Sequence, residues 1–318
     1  MPQQKEEIPV YLFTGFMDSG KTTLMAQTLL DDQFTGGDVK SLVIQCEDGD
    51  IELDKKVLEK RGIEVVEIAS KEELTEERIE QLNDWYQPDQ VFLEYNGTWS
   101  MGDLMDMEMP EGWIVVQSLA TVDATTFEMY LTNMRAMILD QLFQADVVIF
   151  NRCSDATPKG KFRSSVKAVN RKAQLVYERA DGTMDDGEIE MPFDLDQDII
   201  PITDADYALW YMDALDNPKK YNGKKVKFRA LVYRPEKLKS GVFVPGRFAM
   251  TCCIEDVTFI GFKCKYEKAE EIPHKSWIDI TAEIRVEFAR EYKGKGPVLY
   301  PIEITPAEKP LDDLVYFS

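Results

Sequence analysis

No apolar run in this chain approaches the ~18–20 residues needed to cross a bilayer, so no membrane span is expected. The first residues, Met1 to Glu7, are polar and partly acidic. They have neither the basic start nor the apolar stretch of a secretory signal, and the expected location is the cytoplasm. Positive charge is scarce: 37 Lys and Arg stand against 58 Asp and Glu, a formal net charge of −21. A chain of that sign repels nucleic-acid phosphates, so nucleic acid is not expected as a partner. Acidity serves solubility first, and cationic metals or basic partners second. The five cysteines, Cys46, Cys153, Cys252, Cys253 and Cys264, form no C-x-x-C pair. Their odd number argues for free thiols or metal ligation rather than a disulfide framework. Internal repeats and low-complexity tracts are missing too.

What is present points to an α/β domain followed by a smaller β-rich one. With 318 residues the chain has room for two domains. Residues 1–180 alternate apolar runs with amphipathic ones, which is the βαβ signature of a mostly parallel sheet. Strands are expected at Ile8–Thr14, Ser41–Gln45, Ile63–Glu67, Gln90–Tyr95, Trp113–Val122, Asp146–Phe150 and Gln174–Tyr177. Helices are expected at Asp50–Lys60, Lys71–Tyr86, Thr125–Leu131, Arg135–Phe143 and Pro158–Asn170. Short continuous apolar strands such as Val147 to Phe150 suit a sheet covered on both faces. Residues 181–203 open on an acidic, glycine-bearing stretch and read as a linker. Residues 204–318 begin with a short helix at Asp204–Leu215 and then turn all-β. Val226, Phe228, Ala230 and Val232 recur with period two, as do Ile278, Ile280, Ala282, Ile284, Val286 and Phe288. Five or so strands in this span predict a small OB-like barrel or a sandwich.

The most specific motif is Gly15-Phe16-Met17-Asp18-Ser19-Gly20-Lys21-Thr22-Thr23, with the spacing G-x-x-x-x-G-K-S/T between a strand and a helix. That context defines a P-loop NTPase. Backbone N–H groups of such a loop wrap a phosphate, and the helix N-terminus adds its positive end. Lys21 would reach the β- and γ-phosphates, and the Thr22 hydroxyl would ligate Mg²⁺. Gly15, Asp18, Ser19, Gly20, Lys21, Thr22 and Thr23 are the candidate phosphate-binding set.

Four further segments fit a GTPase-like domain. Glu94 ends an apolar strand and is followed by Gly97; a strand-end carboxylate is placed to hold Mg²⁺ through water. Glu47, in Glu47-Asp48-Gly49 after the second strand, stands where a switch segment lies and would contact Mg²⁺ or its water. Asp123, at the end of a long strand, suits the N-cap of the next helix. Asn151-Arg152-Cys153-Ser154 ends another strand at the place of a guanine-recognition loop. Lys21, Glu94 and Glu47 are the candidate catalytic residues, and Thr22, Glu47 and Glu94 the candidate Mg²⁺ ligands.

In order, these segments resemble the CobW family of P-loop GTPases, relatives of the nickel-delivery GTPases of urease and hydrogenase maturation. The resemblance covers residues 8 to about 178. It rests on Gly20-Lys21-Thr22-Thr23, Glu47-Asp48-Gly49, Glu94-Tyr95-Asn96-Gly97, Val122-Asp123-Ala124 and Asn151-Arg152-Cys153-Ser154. It implies binding of GTP with Mg²⁺, slow hydrolysis as a nucleotide switch, and a role in zinc or other metal homeostasis or delivery to a protein client or metal-transport partner. Phe243 to Cys253, with Gly261-Phe262, resemble a β-rich domain that accompanies CobW-like proteins and permease-like partners; that likeness assigns no chemistry.

Three departures bear on the implication. The family's C-x-C-C motif is missing, since Cys46 stands alone until Cys153. Ser154 replaces the Asp that would accept two hydrogen bonds from guanine, with Asp155 one residue later. A neutral hydroxyl makes weaker bonds than a carboxylate, so ATP stays open beside GTP. Asp18 adds a negative charge inside the P-loop. A second metal set, Cys252, Cys253, Cys264 and His274, suits tetrahedral Zn²⁺ in residue type, although neighbours on a strand point to opposite faces. The alternative to a GTPase switch is a non-enzymatic scaffold or metal-binding protein with a degenerate nucleotide site.

Overall fold

The computed structural model describes residues 7–35, 39–47, 49, 51, 53–185, 191–235, 238–251, 256–289 and 292–317. The chain divides into two compact units: Met1–Thr157 with Val169–Gly187, and Pro158–Ala168 with Glu188–Ser318.

The first unit is built on β1 (Ile8–Thr14), β2 (Ser41–Gln45), β3 (Ile63–Glu67), β4 (Gln90–Glu94), β5 (Trp113–Asp123), β6 (Val147–Cys153) and β7 (Gln174–Arg179). They form one sheet in the order β3-β2-β4-β1-β5-β6-β7. Every neighbouring pair is parallel. Every residue of β2 and β4 is buried, because helices cover both faces of a parallel sheet. On one face Val10, Leu12, Ile44 and Leu93 pack with Ile79 and Leu82. On the other, Phe13, Val43 and Phe92 pack with Met25 and Leu29. Each of the seven expected strands is a strand. β1 lies at the centre, where connections diverge to either side, and such a switch point opens a ligand crevice beyond the strand ends.

Caps explain where the helices differ from expectation. The Asp54 carboxylate accepts from the Val57 N–H, so that helix runs only over Lys55–Glu59. The expected Lys71–Tyr86 segment is a 3₁₀ turn, Lys71–Glu73, and a helix, Glu76–Tyr86, capped by Thr75. A short helix at Met101–Met105, capped by Ser100, had no periodic signal of its own. Among the described residues no helix is long and apolar enough to cross a membrane.

The second unit is β-rich: β8 (Ile199–Pro201), β9 (Lys225–Tyr233), β10 (Val242–Met250), β11 (Thr258–Gly261), β12 (Lys263–Lys265), β13 (Trp277–Ala289), β14 (Gly294–Pro306) and β15 (Leu314–Tyr316). The path β10-β12-β14-β13-β9 closes on itself through the β9–β10 pairing. The expected barrel, rather than a sandwich, is therefore the observed form, and a parallel β12–β14 pair completes its OB-type order. Closure depends on β13, which pairs with β9 through its first half and with β14 along its whole length. The helix Tyr207–Asp216 adds Trp210, whose ring centroid lies 5.0 Å from Phe228 and 5.3 Å from Phe262. Arg247 on β10 is fully buried; it pairs with Asp204, donates to the Asp312 carbonyl at 3.0 Å and lies 5.2 Å over the Trp277 ring.

Candidate nucleotide site

The loop after β1 turns on two left-handed glycines, Gly15 at φ +126° and Gly20 at φ +94°. A Cβ on Gly15 would stand 2.2 Å from the Thr121 carbonyl, so only glycine permits this path. Asp18 is also left-handed, at φ +56°. Its side chain is exposed, which keeps its charge out of the loop interior. Ser19 is buried and shares a hydrogen bond of 2.8 Å with the Thr121 hydroxyl. The helix Lys21–Leu30 begins directly after Gly20.

The Lys21 ammonium is almost fully buried, 3 % exposed. It donates to the Gly15 and Phe16 carbonyls at 2.9 and 3.1 Å and pairs with Glu47 at 2.7 Å. The same Glu47 oxygen accepts the Gly97 N–H at 3.2 Å. Gly97 itself is pressed against the loop: a Cβ there would lie 2.4 Å from the Gly15 carbonyl. The Thr22 hydroxyl donates to Glu94 at 2.5 Å. Glu94 is fully buried, and its other oxygen has no partner among the described residues. Burial pushes its carboxyl pKa up, with Thr22 and Lys21 opposing. Lys21, Thr22, Glu47 and Glu94, picked from separate stretches of sequence, thus converge on one spot. A buried carboxylate oxygen without a donor, beside a hydroxyl, is a donor set that fits a hard divalent cation.

One link between segments gave no sequence signal. The Asn96 amide donates to the Cys46 carbonyl at 3.0 Å, which ties the Glu47 segment to the Glu94 segment. Cys46 is buried near Glu94, and burial pushes its thiol pKa up to about 12. Such a thiol is protonated and unreactive.

The fourth segment borders a separate cleft of about 310 Å³, lined among others by Gly20, Thr23, Asn151 and Arg152. The Asn151 amide donates to the Ser19 carbonyl at 2.6 Å. Arg152 donates to the Asp18 carbonyl at 3.1 Å and pairs with Asp123. Asp123 does not cap the helix as expected. Its carboxylate accepts the Thr125 N–H and hydroxyl, and the helix starts later, at Phe127. Burial works against its charge, yet the Thr125 bonds and Arg152 outweigh burial and hold the pKa below the usual range. Ser154 is exposed, and its N–H donates to the Thr157 hydroxyl. Asp155 is exposed and paired with Arg179 at 2.7 Å. Neither lines the cleft. Glu178 does, although nothing in the sequence marked it.

Of the zinc set, Cys264 is buried and its pKa is raised by burial. His274 accepts the Arg234 N–H through Nδ1 at 3.1 Å. Cys252 and Cys253 lie outside the described residues. Among the described residues no group of three or more His, Cys, Asp or Glu is set to hold a metal.

A parallel sheet with a glycine-bearing loop at its switch point, a buried lysine and a strand-end carboxylate define a P-loop nucleotide-binding fold. Residues 9–177, more than half of the chain, match the CobW/HypB/UreG nucleotide-binding domain, and the chain belongs to that family. Residues 180–317 match the DUF1980 C-terminal domain. Among solved structures, the hydrogenase maturation factor HypB from Archaeoglobus fulgidus is similar, at 19 % identity and TM-score 0.40 over 56 % of this chain and 84 % of its own. The Zn(II)-bound YjiA GTPase from E. coli is similar at 16 % identity and TM-score 0.42, over 80 % of this chain and 89 % of its own. No curated protein matches the chain significantly.

Proposed function

We propose that this protein binds a purine nucleoside triphosphate, GTP in first place, hydrolyses it slowly and works as a nucleotide switch in metal homeostasis or delivery. The observation that carries the nucleotide part is the convergence of Lys21, Thr22 and the buried Glu94 beneath the Gly15–Thr23 loop. Family membership supports the metal part, with a protein client or a metal-transport partner engaged through the β-rich domain.

Thr22 and Glu94 would hold Mg²⁺, which when bound neutralises charge developing on the phosphate oxygens. The rest is positioning and electrostatics by the chain. Backbone N–H groups from Ser19 to Thr22 wrap the phosphates. Lys21 moves from the Gly15 and Phe16 carbonyls and Glu47 onto phosphate oxygens. The released Glu47 orients the attacking water, and hydrolysis yields the diphosphate and inorganic phosphate. Burial of Lys21 keeps its charge unscreened where the phosphates arrive.

Calorimetric titration with GTP and with ATP, with and without Zn²⁺, tests this reading. Lys21→Ala is expected to weaken binding roughly 10- to 100-fold, the worth of a hydrogen bond to a charged group. Equal affinity in wild type and Lys21→Ala would sink it.

A further inference from the structure

The base-reading segment ends in Ser154 instead of a carboxylate, yet the cleft beside it is not short of acids. Asp155, Asp181 and Glu178 stand close by, and the first two are exposed. Asp155 is outside the cleft and is held by Arg179 at 2.7 Å. Asp181 lines the cleft but is exposed, and its Oδ1 is held in its own turn by the Thr183 N–H at 3.0 Å and the Thr183 hydroxyl at 2.6 Å. Glu178, the penultimate residue of β7, differs. It lines the cleft, is half-buried, and among the described residues no hydrogen bond or ion pair engages its carboxylate. Gly182 leaves room for it: a Cβ there would stand 3.8 Å from Glu178 Oε1. Asn151, whose amide is fixed on the Ser19 carbonyl, forms part of the same lining.

We propose that Glu178 reads the purine base, taking from the neighbouring loop the task that Ser154 cannot perform. The inference rests on the reading that this cleft, adjoining Gly20 and Thr23, receives the base of a triphosphate whose tail lies in the P-loop. The chemistry selects guanine. A carboxylate has acceptors only, and guanine presents two adjacent donors, N1–H and the 2-amino group. Adenine presents a bare N1 lone pair and no 2-amino group, so it leaves the carboxylate facing an acceptor. Mismatched polar groups of that kind discriminate strongly.

Glu178→Gln keeps size and shape and changes only what the group offers. Its amide oxygen still accepts N1–H, while its N–H₂ meets the 2-amino group donor to donor. Xanthine carries a 2-oxo acceptor there, so the variant is expected to turn toward xanthosine triphosphate. Titration with GTP, ATP and xanthosine triphosphate in saturating Mg²⁺ decides the matter. Wild type should prefer GTP to ATP. Glu178→Gln should lose GTP affinity roughly 10- to 100-fold, gain xanthosine triphosphate by a similar factor and bind ATP more tightly than wild type, since its amide N–H can meet adenine N1. Asp155→Asn should leave all three unchanged. An unaltered GTP-to-ATP ratio in Glu178→Gln overturns the assignment, as does a wild type that holds GTP and ATP equally. Failure of the underlying reading shows differently, as affinity for every triphosphate that is absent or indifferent to Lys21→Ala.

Discussion

The Lys21 ammonium lies 2.7 Å from a Glu47 oxygen that also accepts the Gly97 amide at 3.2 Å. A γ-phosphate oxygen would take the same two donors. Glu47 therefore competes with the incoming nucleotide. Replacing Glu47 by Gln removes the competing charge, and Mg²⁺-free triphosphate should bind about tenfold tighter, equivalent to ~1.4 kcal/mol. Titration in the presence of a chelator isolates this effect from Mg²⁺ contacts. Weaker binding in that variant would show that Glu47 assists the triphosphate rather than opposing it.

Glu94 gives a pH signature. Burial raises its pKa, with Thr22 and Lys21 opposing. A carboxyl whose pKa is raised by folding contributes stability that is present below its unfolded pKa and lost as pH rises through the folded value. The nucleotide-free protein should thus lose stability through this group on leaving the ordinary carboxylate range. Glu94→Gln should melt higher than wild type near neutral pH, with the gap closing as pH falls, and should lose Mg²⁺-dependent binding. Melting curves across pH check the sign. A variant that melts lower near neutrality would refute it.

Gly97 packs closely against the backbone of the P-loop. A Cβ there would meet the Gly15 carbonyl at 2.4 Å and Phe16 backbone at 2.9 Å. Backbone cannot swing aside as a side chain can, so Gly97→Ala should cost ~1–3 kcal/mol and displace the loop. Urea unfolding and nucleotide titration should both register the change. Wild-type values in both would mean that the loop yields freely.

Arg247 is wholly buried and Asp204 is half-exposed. Removing the carboxylate strands a cation in the barrel, so Asp204→Ala should destabilise by ~2–4 kcal/mol. Removing both charges in Asp204→Ala with Arg247→Met should recover much of the loss. Chemical denaturation of the two variants measures the difference, and equal losses would place the cost in packing instead.

Much of the first unit was legible in the sequence because its strands are buried on both faces. β2 and β4 each carry three consecutive apolar residues, Leu42 to Ile44 and Val91 to Leu93, as a strand covered on both faces requires. The P-loop was legible because glycine spacing reports backbone geometry directly. Period-two patterning marked β9 and β13, but barrel closure was not written in any one strand. It depends on pairings such as β9 with β10, and on β12, which is three residues long. At the site, residues at strand ends could be listed but not paired. Glu47 and Lys21 are 26 positions apart, and only the fold brings them together. Glu178 left no trace because its role depends on a carboxylate missing at position 154.

The second unit claims residues 158–168, while residues 169–187 return to the first. Within the second unit, the helix Lys159–Val169 is fastened by Arg163 to Asp216 at 2.8 Å and by the Ser165 hydroxyl to the Phe317 carbonyl at 2.6 Å, almost at the end of the chain. During synthesis, β7 and the loop with Glu178 therefore emerge just after a helix whose anchor at Phe317 does not yet exist. No single cut separates the units: ending the chain at 157 removes an edge strand of the nucleotide sheet, and ending it at 187 leaves Phe162 and Val166, both buried, on a helix without its unit. Glu178 and the turn after it therefore lie, in sequence, between two stretches of the second unit.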